Sequence, residues 1–315
     1  MILGFDIGGT KCAVITANVN GGKIKLLKKE KCATRFDISP EEMIDGLIRS
    51  AENILDDKRP EKIGISCGGP LDSRNGIILG PPNLPGWDEV HISERISQHF
   101  GVPALLQNDA NACAVAEWKF GAGRGADNMV FLTFGTGLGA GLILNGRLYT
   151  GTNDNAGEAG HIRLERFGPV GYGKAGSFEG FCSGGGIAKL GCSMALEALQ
   201  SGRQPAYFKK GMNESDVTAK AIAEAADAGD ETAINVYRVC GEHLGAGLSV
   251  LIDILNPEKI VIGSVFARSE HLLRKYAEEV IANEALPQAA KCCKIVPAEL
   301  GEKIGDYAAI ATALL

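Results

Sequence analysis

The sequence has no apolar run at its start long enough for a signal peptide or a membrane span, because Met1-Ile2-Leu3-Gly4-Phe5 is interrupted at once by Asp6. A cytoplasmic protein is expected. It also lacks blocks of like charge. Acids and bases are mixed along the chain and the net charge is only -6, so nothing attracts nucleic acid by bulk charge. It lacks a disulfide framework: the nine cysteines are an odd number, scattered mostly within apolar runs, and read as small core residues. No low-complexity linker divides the chain, and no histidine or cysteine lies near His161 at close ligand spacing.

What is present is 315 residues with 45% hydrophobic content, which suits two buried cores better than one. Ile2 to Ile7 reads as a strand, Gly8-Gly9 as a break, Lys11 to Val19 as a second strand ending at Asn20-Gly21-Gly22, and Lys23 to Cys32 as a third. A nucleotide-binding loop of the Rossmann or Walker kind needs a helix after its glycines. Cys12-Ala13-Val14-Ile15 is β-rich, so neither fits. The unit recurs mid-chain: Asn128 to Phe134 as a strand, Gly135-Thr136-Gly137-Leu138-Gly139 as a glycine turn, Ala140 to Leu144 and Arg147 to Tyr149 as strands. Two copies of one strand-turn-strand unit point to two similar domains facing a cleft.

Between the copies, Ser39-Pro40-Glu41-Glu42 has the pattern of a capping box, and Met43, Leu47, Ile48, Ala51 and Leu55 continue a helix. Lys62 to Cys67 is a crossover strand, a short helix is expected from Ser93, and Pro103 to Leu106 is a strand leading to Asn108-Asp109. Further on, an alanine-rich helix is expected from about Ser215, a long apolar helix from Asp230 to Asn256-Pro257, and a buried strand from Lys259 to Ile262. The amphipathic stretch Gly305 to Leu315 needs a partner surface.

The chemistry is carried by a few polar residues. Asp6, Gly8, Gly9, Thr10 and Lys11 join a strand-end acid to bare backbone N–H groups, a hydroxyl and an ammonium, which can hold phosphate and the water shell of Mg²⁺. An ordinary glycine hairpin is the plain alternative. With Gly135, Thr136 and Gly137, two such turns can clamp a polyphosphate, and phosphoryl transfer asks mainly for positioning and charge neutralisation. Asp109, past a strand end, can take a proton from an attacking hydroxyl, or it can simply cap the following helix. Glu158, His161 and Glu179 lie in a glycine-rich stretch and can bond vicinal sugar hydroxyls, or be solvated loop residues.

Together D-I-G-G-T-K, N-D-A-N-A, F-G-T-G-L-G-A-G and G-E-A-G-H-I resemble the ROK family of sugar kinases and sugar-responsive repressors, over essentially the whole chain. The resemblance implies an α/β protein of the actin-like ATPase (ribonuclease H-like) fold, two domains with an interdomain cleft. Residues 1–118 would form a small N-terminal α/β domain joined by the C-terminal helix, about 303–315, and residues 119–302 a large C-terminal α/β domain. It implies ATP on the loops Gly8 to Lys11 and Gly135 to Gly137, Mg²⁺ near Asp6, Gly263-Ser264 on the adenosine side and Asp109 as general base. Gly68, Gly69, Asn83, Asn108, Asp109, Glu158, His161 and Glu179 would touch the sugar. The implied reaction moves the γ-phosphoryl of ATP to the 6-hydroxyl of a hexose or N-acetylhexosamine, in a homodimer.

Two departures stand out. The family's zinc pattern, Cys-x-Cys-Gly-x-x-Gly-Cys-x-Glu, here reads from Val170 to Glu179 with Val170, Tyr172 and Ser177 in place of the cysteines, so no structural zinc is expected. The usual Gly-Gly after the buried strand is Gly263-Ser264. The family's repressors carry a DNA-binding segment ahead of the Asp-Gly-Gly motif, whereas five residues precede Asp6 here; the expectation is a kinase without nucleic-acid or membrane partners, with a catalytically inactive sugar sensor as the alternative.

Overall fold

The computed structural model describes residues 1–209 and 211–315. It opens with β1 (Ile2–Ile7), β2 (Lys11–Asn20) and β3 (Lys23–Ala33), and α1 (Pro40–Leu55) follows. The capping box that starts α1 is formed: Glu42 N–H donates to Ser39 Oγ at 3.2 Å and Ser39 N–H to Glu42 Oε2 at 3.0 Å. Then come β4 (Lys62–Cys67), the short β5 (Leu71–Asp72) and β6 (Ile77–Ile78), α2 (Ile92–Phe100), β7 (Ala104–Asn108) and α3 (Asp109–Phe120).

The second copy consists of β8 (Met129–Leu132), β9 (Ala140–Leu144) and β10 (Arg147–Tyr149). A small hairpin, β11 (Val170–Gly171) with β12 (Lys174–Ala175), precedes α4 (Phe178–Phe181), α5 (Gly184–Gln200), α6 (Ala219–Asp227) and α7 (Glu231–Leu255). The chain closes with β13 (Lys259–Ile262), α8 (Val265–Glu284), α9 (Pro287–Cys292), β14 (Lys294–Pro297) and α10 (Ile304–Thr312).

Two five-stranded sheets result, β3-β2-β1-β4-β7 and β10-β9-β8-β13-β14. The order is the same in both: a meander on one side of the first strand and parallel crossover strands on the other. The chain divides into two compact units, one of Met1–Asp127, Gly141–Ala156 and Glu299–Leu315, the other of Asn128–Ala140 and Gly157–Ala298.

In the first unit, Leu3, Phe5 and Ile7 alternate along β1 and bury against Ile44, Leu47 and Ile48 of α1. The opposite sheet face buries Ile2, Ala13 and Ile15 with Ala309, Ile310 and Ala313 of the α10 segment. Gly4 and Gly64 pair in register on β1 and β4, and a Cβ at Gly64 would lie 2.2 Å from Ala309 O. Two glycines side by side therefore let the helix backbone lie directly on the strands.

Several elements differ from the sequence-based expectation. The alanine-rich helix starts at Ala219 instead of Ser215, because Thr218 Oγ1 accepts from Ala221 N–H at 3.1 Å and Glu214–Asp216 is only a 3₁₀ turn. The strand after Asn128 stops at Leu132, since Thr133 N–H turns back to Gly139 O at 3.0 Å. Among the described residues no helix is long and apolar enough to cross a membrane.

Candidate active site

In the first unit the strand-end residues converge. The turn after β1 is closed by Gly8 N–H to Lys11 O at 3.2 Å and held by Thr34, whose Oγ1 donates to Gly8 O at 2.5 Å. A side chain at Gly9 would meet Asn83 O at 2.4 Å, so glycine there permits the Gly80–Gly86 loop to touch the turn. Gly68 lies against the Asn83 amide and Gly69 against Asn108 Nδ2. Thr10, Lys11 and Asn83 are exposed. Thus Gly8, Gly9, Gly68, Gly69, Asn83 and Asn108 come together in this unit.

The two readings of Asp109 separate here. Asn108, not Asp109, caps α3: its Oδ1 accepts from Ala110 N–H at 2.9 Å and Asn111 N–H at 3.4 Å. Asp109 is the first helical residue, its Oδ1 accepts from Ala110 N–H at 2.7 Å, and it is exposed. A carboxylate in the first turn is favoured by the helix dipole and needs no capping role to be retained there.

Asp6, at the end of β1, has surroundings that the sequence did not announce. Burial, and next the neighbouring Asp306 carboxylate, push its carboxyl up to about 6, with Asp109 adding in the same direction and Lys29 and Lys11 opposing. Asp306 sits in the first turn of α10 and is ion-paired with Lys29 of β3. A Cβ at Gly305 would fall 2.8 Å from Asp6 Oδ2. No local motif links Asp306 to Asp6, because the two lie at opposite ends of the chain; only the return of α10 to the sheet joins them.

In the second unit the turn Gly135-Thr136-Gly137 is closed by Gly135 N–H to Gly137 O at 2.9 Å and by Gly139 N–H to Thr133 Oγ1 at 2.9 Å. The first residues of α5 abut it, with Gly184 N–H donating to Gly135 O at 2.7 Å and Ser183 capping that helix. The Ser183-Gly184-Gly185-Gly186 cap was a missed signal, a serine followed by three permissive residues before an apolar helix. Ser264 Oγ lies near Gly135, 3.7 Å from where its Cβ would be, and Ser264 has φ 53°. Gly263 N–H donates to Leu132 O at 2.9 Å.

Glu179 ties this turn to the Glu158–His161 segment. Its Oε2 accepts from Leu138 N–H at 3.0 Å, and its Cβ would be 3.2 Å from a side chain at Gly160. Glu158 is exposed and precedes a 3₁₀ turn, Ala159–His161, in which His161 N–H donates to Glu158 O at 3.1 Å. The second unit therefore gathers Gly135, Thr136, Gly137, Glu158, His161, Glu179, Gly263 and Ser264.

Residues 2–314 match the model of the ROK family. The chain belongs to the ROK family. It is 34% identical over 319 residues to a glucokinase of Halalkalibacterium halodurans, covering 96% of this chain and 92% of that protein. It is 28% identical over 325 residues to the N-acetylglucosamine repressor of Escherichia coli O157:H7, covering 95% of this chain and 77% of that one. The crystal structure of a ROK family glucokinase from Streptomyces griseus in complex with glucose and AMPPNP superposes with a TM-score of 0.77 at 28% identity, 99% of each chain being covered. The fold of this ROK chain is accordingly the actin-like ATPase type, α/β and built on two sheets of one strand order.

The family's zinc does not fit the residues of this ROK chain. The Val170 side chain has no donor atom, Tyr172 lies at the tip of the β11–β12 hairpin, and Ser177 Oγ is engaged within α4, accepting from Gly180 N–H at 3.1 Å. The nearby Cys182 thiol is buried, donates to Cys240 O at 3.4 Å, and is pushed well above the ordinary thiol range by burial. Among the described residues no three His, Cys, Asp or Glu side chains are grouped to hold a metal ion.

Proposed function

We propose that this chain is an ATP-dependent sugar kinase that transfers the γ-phosphoryl of ATP to the 6-hydroxyl of a hexose or N-acetylhexosamine, with Asp109 as general base. The observation that carries the reading is the division of labour at the start of α3: Asn108 does the capping, so Asp109 is an exposed carboxylate at a strand-to-helix junction. The sugar O–H gives its proton to Asp109, its oxygen forms the bond to the γ-phosphorus, and the bond to the β-γ bridging oxygen breaks to release ADP.

The other roles follow the same division. Backbone N–H groups of Gly8 to Lys11 and of Gly135 to Gly137, with Thr10, Thr136 and Lys11, would receive the phosphates, and Gly263-Ser264 the adenosine side. Asp6 would hold Mg²⁺ through its water shell. Its surroundings fit that role, because a carboxylate whose charge they disfavour is stabilised by an arriving cation. When bound, Mg²⁺ supplies neutralisation of phosphate charge. Sugar contacts would come from Gly68, Gly69, Asn83 and the Nδ2 of Asn108 in the first unit and from Glu158, His161 and Glu179, through Oε1, in the second. The reading carries with it a cytoplasmic homodimer.

The likeness to the Escherichia coli repressor favours one other reading, a sugar-binding sensor without turnover. A coupled assay of ADP release across glucose, fructose, mannose and their N-acetylated amino analogues decides between them. Sugar-dependent ADP release is the expected outcome. Calorimetric binding of a sugar with no ADP released for any of them would establish the sensor instead.

A further inference from the structure

With no metal-ligating set at residues 170–179, something else must fix the ring of His161, whose sugar-facing role rests on the proposed sugar site. Three tethers converge on its 3₁₀ turn. Its N–H is held by Glu158 O at 3.1 Å. Its carbonyl accepts from Lys174 Nζ at 2.6 Å. Its imidazole meets the Tyr172 ring edge to face, centroids 5.2 Å apart and planes at 80°.

The hairpin that delivers Tyr172 and Lys174 is itself anchored along its length. Tyr172 and Gly173 both have positive φ, 43° and 76°, which makes the tight two-residue turn between β11 and β12. Lys189 Nζ donates to Val170 O at 2.8 Å and Arg163 Nη1 to Ala175 O at 2.6 Å. A Cβ at Gly171 would lie 2.6 Å from Gly180 N, so the hairpin rests directly on α4. Tyr172 is 69% exposed, so its contact with the His161 ring is made at the surface.

We propose that Tyr172 and Lys174 are positioning residues for His161, supplying with a ring contact and a charge-assisted hydrogen bond the constraint for which the family pattern uses zinc. Lys174 sets the height of the 3₁₀ turn through its backbone, and Tyr172 sets the plane of the imidazole. Sugar recognition by this chain is thereby independent of zinc. An unligated imidazole keeps both ring nitrogens for hydrogen bonding, whereas a zinc-bound one has one nitrogen committed to the metal.

The test has a readout separate from turnover. In ¹³C-edited spectra of the histidine rings, with His161→Gln used to assign the peak, Tyr172→Ala is expected to move the His161 resonance as the neighbouring ring current is lost, and Tyr172→Phe to leave it in place. In sugar titrations Tyr172→Ala and Lys174→Met each raise KM for sugar about 3- to 10-fold with kcat little changed, and Tyr172→Phe behaves as the parent. The purified protein is expected to hold no stoichiometric zinc and to keep its sugar affinity in a strong chelator. One zinc per chain, or a Tyr172→Ala protein with an unmoved resonance and unchanged KM, would overturn the proposal. Absence of ADP release with every sugar would defeat the kinase reading alone, because the resonance and the zinc content still report on His161.

Discussion

The glycine turns after β1 and β8 occupy equivalent places in two sheets of one strand order, yet they are held by different chemistry. Aligning Gly8 with Gly135 puts Asp6 opposite Thr133. Thr133 is neutral and spends its hydroxyl closing its own turn onto Gly139 N–H at 2.9 Å. Asp6 is an acid near two further carboxylates, Asp306 and Asp109, with Lys29 and Lys11 opposing them, and the hydroxyl that braces the first turn comes instead from Thr34. In the second turn the acid comes from outside, from Glu179 on α4, and it accepts a backbone N–H. Duplicated backbones thus place similar arrays of N–H groups, while the negative charge is added to one copy on the strand and to the other from a helix.

Replacing the strand acid gives the largest contrast. Asp6→Asn is expected to lower turnover about 100-fold or more, and at the same time to raise stability at pH 7 by roughly 1–3 kcal/mol. The sign follows from the raised carboxyl: the folded state holds this proton more tightly than the unfolded one, so its stabilising contribution is full below 3.8 and is lost as pH rises through about 6. Urea unfolding from pH 4 to 8 should show that decline in the parent and not in Asp6→Asn, and parent kcat/KM should fall below about pH 6 as Asp6 takes up its proton.

The helix-borne acid is expected to behave in the opposite way. Glu179→Ala removes the acceptor of Leu138 N–H, costing about 1–3 kcal/mol of stability, and raises KM for sugar and ATP together, because one side chain joins the second turn to the Glu158–His161 segment. Thermal unfolding with paired KM measurements checks it. The smallest change is Ser264→Gly: φ 53° with ψ -108° is a conformation that glycine adopts freely, so the variant should gain about 1 kcal/mol while keeping activity. A loss of stability there would show that the Ser264 hydroxyl matters more than the backbone strain.

Much of this comparison was legible in the chain itself. Glycine turns flanked by β-rich runs identified both copies of the unit, and local rules placed Ser39, Asp230 and Asn256 at helix ends where the structure has them. What escaped was whatever depends on distant chain segments meeting. The Lys29–Asp306 pair beside Asp6 exists only because α10 returns to the first sheet over Gly4 and Gly64. Glu179 was readable as a polar residue in a glycine-rich stretch, but its bond to Leu138 N–H needed the fold. Asp109 shows the limit of local reading most sharply: Asn108 and Asp109 are both good caps, and only backbone geometry assigns the cap to Asn108.

The most direct test of Asp109 as base is to compare turnover and sugar affinity in Asp109→Asn, which keeps the side-chain shape and removes the proton acceptor. A fall in kcat of about 10²- to 10⁴-fold is expected, with the calorimetric sugar affinity and the unfolding midpoint close to those of the parent. Turnover near the parent's value would contradict the assignment and return Asp109 to a role at the start of α3 alone.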